Sequence, residues 1–173
     1  MPYRVAVIGA GFGGIGMAIA LEQAGIEDFV VLDRADDLGG TWRDNSYPGL
    51  TCDIPSQLYS FSFRPWRWSR RFPARDEILA YLHALVAEHG LGPRLRFGRG
   101  VAAAEFDERE AVWNLTLDDG DTLQASAVVC AVCCRLSRPP SRPVSMNGRM
   151  RFGAPRSYTS TPVSYTKPRA CLR

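Results

Sequence analysis

The segment that most constrains the fold is GAGFGG, which places Gly9, Gly11 and Gly14 in a G-x-G-x-x-G pattern. It follows YRVAVI, an uninterrupted apolar run that is typical of a strand buried on both faces of a parallel sheet. It precedes GGIGMAIALEQAG, a helical pattern that ends at Gly25. A second apolar run, DFVVLD, ends in Asp33, 19 residues after Gly14. Together these segments predict a right-handed strand–helix–strand unit.

Each of these residues has a physical role in binding a dinucleotide. Gly9 allows a tight turn, Gly11 lets the backbone approach a pyrophosphate, and Gly14 lets the helix pack on the strand. The helix N-terminus offers free N–H groups to the phosphates, and Asp33 can accept hydrogen bonds from a ribose diol. The acidic residue disfavours NADP at this site, whereas NAD and FAD both fit the pattern. The structural alternative is a glycine-rich turn without a ligand.

Further along the chain the pattern predicts one more helix and a β-meander. The helix covers residues 76–89, with Asp76 as its N-cap and Gly90 as its stop. The strands are predicted at 94–98, 100–107, 111–125 and 126–132, with a hairpin turn at Asp118-Asp119-Gly120. The predicted fold class is therefore α/β, a Rossmann-like dinucleotide-binding domain with a parallel sheet and a β-meander.

The long irregular segment after the second strand carries a more specific pattern. It contains GGTW, YPG, CD and YSFSF in that order between Asp33 and Phe63. This pattern resembles the flavin-dependent monooxygenases of the Baeyer–Villiger and flavin-containing type, and the similarity extends from residue 3 to about residue 132. The resemblance implies that the domain binds FAD. The complete family also uses NADPH and O₂ and transfers one oxygen atom to a small-molecule ketone or heteroatom substrate.

The resemblance also implies roles for individual residues. Asp53, the candidate catalytic residue, lies near the isoalloxazine in that family and holds an active-site arginine. Thr51 stands where the Baeyer–Villiger branch commonly has arginine, so ketone and heteroatom oxygenation both stay open. The implied cofactor-binding residues are Gly9, Gly11, Gly13 and Gly14 at the pyrophosphate, Asp33 at the adenosine ribose, Val101 at the adenine, and Gly40, Thr41, Trp42, Asp53 and Tyr59 towards the flavin.

Plainer roles exist for three of these residues. Asp53 could cap a loop, and Trp42 and Tyr59 could be apolar core of the loop. The segment FRPWRWSRRFPAR alternates arginines with aromatic residues, which would suit single-stranded nucleic acid. We favour a covering loop whose arginine stems pack on rings, and we predict no nucleic-acid partner. The aromatic density between residues 34 and 75 also argues against disorder there.

Charge divides the chain into two parts. Residues 1–134 hold 12 of the 21 basic residues and all 18 acidic residues, whereas 135–173 hold nine basic residues and no acidic one. We predict an FAD-binding Rossmann-like domain over 1–134 and a basic Pro/Ser/Arg-rich tail, disordered, over 135–173. The tail is either the product of a shifted reading frame or a genuine basic arm for an anionic partner.

The sequence limits the possible functions in several ways. It has no second G-x-G-x-x-G for NADPH, so we expect a domain that is incomplete relative to the family and inactive alone. The alternatives are a non-catalytic FAD-binding or an NAD-binding module. No metal site is predicted, because His83 and His89 point about 120° apart on one helix. No run reaches the roughly 20 apolar residues of a membrane span, and no export signal is visible, so we expect a cytoplasmic protein. Nothing specifies the oligomeric state.

Overall fold

The computed structural model describes residues 1–132 and 149–151, and these build one mixed sheet. The strands are β1 (Tyr3–Ile8), β2 (Phe29–Leu32), β3 (Leu95–Arg96), β4 (Val101–Asp107), β5 (Val112–Leu117), β6 (Thr122–Cys130) and β7 (Arg149–Arg151). Their order in the sheet is β3-β2-β1-β6-β5-β4-β7. The helices are α1 (Phe12–Gln23), α2 (Thr41–Asp44) and α3 (Arg75–Glu88).

The sheet is parallel on one side and antiparallel on the other. Strand β1 pairs in parallel with β2 and β6, and β2 pairs in parallel with β3. Strands β6, β5 and β4 form the antiparallel meander, and β7 adds to β4. The apolar strands β1 and β2 lie at the centre of the parallel part, between β3 and β6, as expected for strands that are covered on both faces. The predicted α/β fold with a parallel sheet and a meander is confirmed.

Each face of the central strands has its own cover. On one face α1 and α3 supply a core that includes Ile15, Ile19, Tyr81, Leu82 and Leu85, all at most 1% exposed. On the other face the meander folds back and packs its own apolar residues, including Val101, Ala104 and Leu115, against β1 and β2. A domain with one core on each side of its sheet satisfies the requirement that both faces of a parallel sheet be buried.

Both predicted helices are present, with one correction. Helix α1 ends close to Gly25 and α3 is followed by Gly90, whose φ of +59° favours glycine at a helix stop. The prediction that Asp76 caps α3 is wrong. The N-cap is Ala74, which makes no side-chain cap hydrogen bond, and Asp76 lies in the first turn. There its negative charge still interacts favourably with the helix dipole.

The long loop between β2 and α3 is packed, not extended. Tyr81, fully buried on α3, accepts a hydrogen bond from the Phe61 N–H at 2.9 Å and donates one to the Arg64 carbonyl at 3.0 Å. The rings of Phe12, Trp66 and Trp68 all lie within 6 Å of the Tyr81 ring, centre to centre. The expectation that aromatic residues keep this loop ordered is confirmed.

The predicted tail lies almost wholly outside the described residues. Of residues 135–173, the structure describes only the backbone of β7, which pairs antiparallel with β4 at Ala103–Glu105. No strand is predicted from the sequence at residues 149–151. The prediction that this tail is disordered falls on residues outside the described part and stays a prediction.

Packing at the β1–α1 junction predicts opposite effects for two neighbouring glycines. A β-carbon at Gly14 would lie 1.8 Å from the Gly9 carbonyl oxygen, so Gly14→Ala must displace backbone. We expect it to lower the free energy of unfolding by about 1–3 kcal/mol or more. A β-carbon at Gly13 would meet nothing closer than 3.9 Å. Gly13→Ala should therefore raise the free energy of unfolding by about 0.5–1 kcal/mol, because alanine has the higher helix propensity. Urea unfolding without cofactor measures the free energy of unfolding of both variants. Equal changes in the two variants would contradict the close packing described at Gly14.

The two hydrogen bonds of Tyr81 give a second prediction for stability. Tyr81→Phe leaves the Phe61 N–H and the Arg64 carbonyl without their partner, and we expect a loss of about 1–3 kcal/mol. Tyr3→Phe is the matched control, because Tyr3 is partly buried but its hydroxyl bonds no described group. Thermal unfolding compares the two variants. If Tyr3→Phe is as destabilised as Tyr81→Phe, the two hydrogen bonds of the Tyr81 hydroxyl do not explain the loss of stability.

Candidate functional site

The candidate site lies at the carboxyl ends of the parallel strands. The Gly9 N–H donates to the Leu32 carbonyl at 2.7 Å, and the Ala131 N–H donates to the Ile8 carbonyl at 2.8 Å. The glycine loop is therefore held between the ends of β2 and β6, on either side of β1. The chain leaves β1 towards β2, whereas β6 lies on the opposite side, so this is the topological switch point where open α/β sheets bind ligands.

The glycine loop makes a close backbone turn. Gly9 has a φ of +101°, and a β-carbon there would lie 2.7 Å from a methyl of Val132. Gly11 faces Gly40 backbone to backbone, with 3.7 Å between the Gly11 β-carbon position and the Gly40 Cα. Gly13 is exposed. Two chain segments thus meet without side chains beside the start of α1.

The N-terminus of α1 is electrostatically open to an anion. Gly11 is its N-cap and makes no side-chain cap hydrogen bond, and the first turn contains no acidic residue. The leading N–H groups of a helix have no partner inside the helix and carry the positive end of its dipole. A phosphate at this position would meet N–H donors and no competing carboxylate from the first turn.

Asp33 is a buried carboxylate at the end of β2, with 8% of its surface exposed. Its Oδ2 accepts from the Ala10 N–H at 2.7 Å, and its Oδ1 accepts from the Ala35 N–H at 3.0 Å. The Arg43 Nη1 lies 3.4 Å from Oδ1. A carboxylate offers about four acceptor positions. Three are used, which leaves one acceptor position on Oδ2.

The segment before β4 is tied to Asp33. The Arg99 N–H donates to the Asp33 carbonyl at 2.8 Å, and the Gly98 N–H donates to the Ala35 carbonyl at 2.7 Å. Val101 follows two residues after Arg99 and is 2% exposed. The structure therefore brings Val101 to the Asp33 side of the site.

An aromatic pair borders the other side. The Trp42 Nε1–H donates to the Tyr59 hydroxyl at 2.8 Å, and the Tyr59 ring lies 5.1 Å from that of Phe12 in α1. Burial raises the pKa of Tyr59 above its usual value, the Trp42 bond opposes the rise, and Cys52 and Asp53 add to it. The hydroxyl thus stays protonated at neutral pH, and its hydrogen is available to a ligand.

Thr41 and Asp53 are exposed residues of the same side. Asp53 follows Cys52, whose N–H donates to the Pro73 carbonyl at 2.9 Å. Within residues 1–132 its carboxylate has no hydrogen-bond or ion-pair partner. The structure gives Asp53 a fixed backbone and a free side chain, and its predicted catalytic role stays a prediction.

Sequence reasoning missed three contributors to the site. Ala10 supplies the N–H that Asp33 accepts, Arg43 approaches the Asp33 carboxylate, and Arg75 donates to carbonyls of α2. The alanine could have been found from its place between Gly9 and Gly11. The two arginines carry no signal in the sequence, because their partners are backbone carbonyls and a distant carboxylate.

Two further properties concern the described part of the chain. Among its residues, no three His, Cys, Asp or Glu side chains come together in a way that could hold a metal ion. None of its helices combines the length and the apolar character needed to cross a bilayer.

Comparison with known proteins agrees with this geometry. Residues 7–72 match the family described as NAD(P)-binding Rossmann-like domain. A Baeyer–Villiger monooxygenase of Streptomyces coelicolor is 52% identical over 129 residues, which are 74% of this chain and 25% of that protein. A Baeyer–Villiger monooxygenase of Pseudomonas aeruginosa is 41% identical over 127 residues, 73% of this chain and 24% of that protein. The chain thus spans about a quarter of the length of these relatives.

Solved structures give the same result. Cyclohexanone monooxygenase from Rhodococcus sp. Phi1, bound to NADP⁺, superposes with a TM-score of 0.72 and 38% identity over 76% of this chain and 26% of that one. A protein named OTEMO, in complex with FAD and NADP, superposes with a TM-score of 0.70 and 31% identity over 76% of this chain and 26% of that one. The chain is therefore homologous to the N-terminal part of the Baeyer–Villiger monooxygenases and related flavin-dependent monooxygenases.

Proposed function

We propose that this chain binds FAD at the glycine loop, as the FAD-binding portion of an NADPH- and O₂-dependent flavoprotein monooxygenase. The observation that carries the proposal is the buried Asp33 carboxylate bonded to the N–H of Ala10, within the glycine loop itself. That bond holds a carboxylate, the group we propose as the ribose acceptor, beside a helix N-terminus that is open to phosphate. A dinucleotide needs these two features side by side.

The described residues fit FAD along its length. Asp33 would accept a hydroxyl of the adenosine ribose, and the backbone around Val101 would border the adenine. Gly11 and Gly13 would lie at the pyrophosphate, where their missing side chains leave room. Trp42 and Tyr59 would border the flavin end. FAD, when bound, supplies the redox chemistry, while the protein supplies binding, orientation and electrostatics.

The substrate class follows from the relatives, and two classes fit. Cyclohexanone monooxygenase among the solved relatives favours a ketone. Thr51 stands where the Baeyer–Villiger branch commonly has arginine, so a heteroatom such as nitrogen or sulfur stays open. We propose a small-molecule substrate of one of these two classes for the whole protein. We propose that it acts in the cytoplasm, in keeping with the free thiol of Cys52.

A purely binding role is the second candidate, and two observations favour it. The carboxylate of Asp53 is exposed and meets no guanidinium within residues 1–132. The sequence also contains a single G-x-G-x-x-G segment. An FAD-binding module that is inactive by itself accounts for both facts, and an NAD-binding module accounts for the second.

Binding of FAD is testable directly, and Asp33 gives the sharpest variant. We expect protein purified with added FAD to retain the visible absorbance of flavin. Asp33→Asn should raise the Kd about 10- to 100-fold, since a hydrogen bond to a charged group contributes about 1.5–3 kcal/mol. Asp36→Asn, in the same loop and exposed, is the matched control and should leave the Kd unchanged. Fluorescence titration measures both. If the unmodified chain prefers NAD to FAD, that result would support the alternative of an NAD-binding module.

The rate of NADPH oxidation distinguishes an active enzyme from a module that only binds FAD. We expect this 173-residue chain, with FAD added, to oxidise NADPH no faster than free FAD does. Hydride transfer requires nicotinamide stacked on the flavin, and the described residues offer one dinucleotide site. Loss of the near-ultraviolet absorbance of NADPH, with a ketone or a sulfide present, is the assay. Oxygenated product above the protein-free control would show that the chain is catalytically complete.

A further inference from the structure

Helix α2 carries the residues that border the flavin end of the proposed FAD site, yet it is too short to be stable alone. It has only four residues, Thr41–Asp44, and nucleating a single helical turn is unfavourable. Its last carbonyls have no helical N–H groups ahead of them. Asn45 satisfies only the first of these, since its backbone N–H and its side-chain amide both donate to the Thr41 carbonyl, at 3.2 and 2.8 Å.

Arg75, the first residue of α3, supplies the next donors. Its Nε donates to the Trp42 carbonyl at 2.7 Å, and its Nη2 donates to the Arg43 carbonyl at 3.2 Å. Its remaining Nη1 pairs with Asp76 at 2.8 Å. A guanidinium presents its N–H groups in a rigid planar fork, so one arginine can hold two adjacent carbonyls in a fixed geometry.

The backbone around Arg75 holds a second segment of the same side. The Arg75 N–H donates to the Leu50 carbonyl at 3.2 Å, and Thr51 forms a bridge with Ala74. The Cys52 N–H donates to the Pro73 carbonyl. The residue that follows this short pairing is Asp53. The start of α3 therefore fixes both the α2 turn and the approach to Asp53.

We infer that Arg75 is a positioning residue for the flavin end of the site. This rests on the proposed FAD-binding function and deepens it. Arg75 acts through the carbonyls of Trp42 and Arg43, and so sets where Thr41 and Trp42 lie. Its guanidinium hydrogen-bonds Trp42, Arg43 and Asp76 and reaches Asp33 only indirectly, through Arg43, so we expect the adenosine and pyrophosphate end to depend on Arg75 less than the flavin end does.

Two ligands separate this role from general stabilisation. FAD occupies both ends of the proposed site, whereas ADP occupies only the adenosine and pyrophosphate end. We expect Arg75→Met to raise the Kd for FAD about 10-fold, because two charged hydrogen bonds that order α2 are lost. The Kd for ADP should stay within about twofold of that of the unmodified chain. Titration of the full 173-residue chain with each ligand measures both values.

Two further variants complete the experiment. Arg64→Met is the matched control, because the Arg64 guanidinium bonds Glu88 and the Pro65 carbonyl at the surface and, among the described residues, bonds no group of α2. Arg75→Lys keeps the charge without the fork and should also weaken FAD selectively. It replaces Arg75→Met if the latter does not fold.

The outcomes are distinct. A selective loss of FAD affinity, absent from Arg64→Met, supports the positioning role. An unchanged Kd for FAD in the folded Arg75 variants overturns it, and so does an equal loss for FAD and ADP, which would show only general destabilisation. If the unmodified chain binds ADP but not FAD, the proposed function fails and this inference fails with it.

Discussion

The hydrogen bond between the Ala10 N–H and the Asp33 Oδ2, at 2.7 Å, is the contact on which the arrangement of the site depends. It joins the loop after β1 to the end of β2, the two strands at the centre of the parallel sheet. A carboxylate as buried as Asp33 is costly unless its oxygens are paired. The partners that meet this cost, Ala10 and Ala35, are backbone N–H groups of the loops on either side of it. Burial of one charge therefore fixes the course of two loops.

Local patterns explain why this half of the fold could be predicted from sequence. The strand–helix–strand unit spans about 30 residues, and each glycine in it answers a backbone requirement at its own position. Gly9 has positive φ, and Gly14 has no room for a β-carbon. A glycine in the sequence is itself a signal of such a requirement, because other residues do not satisfy it. The same holds for Gly90 after α3 and for Gly120 in the meander turn, where φ is +89°.

The rest of the site depends on contacts between residues far apart in the chain, and sequence does not record these. The aromatic density of the loop indicated burial, but not that Tyr81 would bond the backbone at Phe61 and Arg64. Asp76 was expected to cap α3 because aspartate is common at N-caps, but the chain there is paired with residues 50–52 and the cap moves to Ala74. Tertiary pairing overrode a local preference.

One strand shows how the two halves of the sheet are joined. The sequence suggested separate strands at 111–125 and 126–132, whereas β6 is continuous from Thr122 to Cys130. Its first residues pair antiparallel with β5, and Ala125–Cys130 pair in parallel with β1. Ala125 takes part in both pairings, opposite Trp113 on one side and Tyr3 on the other. A small residue with no exposed surface suits this position, because β1 and β5 flank it and the core covers it.

The two ends of the site are held by different kinds of interaction. The proposed adenosine end is held by backbone hydrogen bonds to the buried Asp33 carboxylate and by Gly9 and Gly14, where a β-carbon would clash. The proposed flavin end is held by side chains, with Arg75 on the carbonyls of α2 and Trp42 on the Tyr59 hydroxyl. Side-chain contacts lose more conformational entropy on ordering than contacts made by a backbone already fixed in a sheet. The flavin end should therefore open at lower free energy than the glycine loop, and hydrogen exchange should be faster at the Arg43 and Asp44 amides than at Gly9 and Ala131.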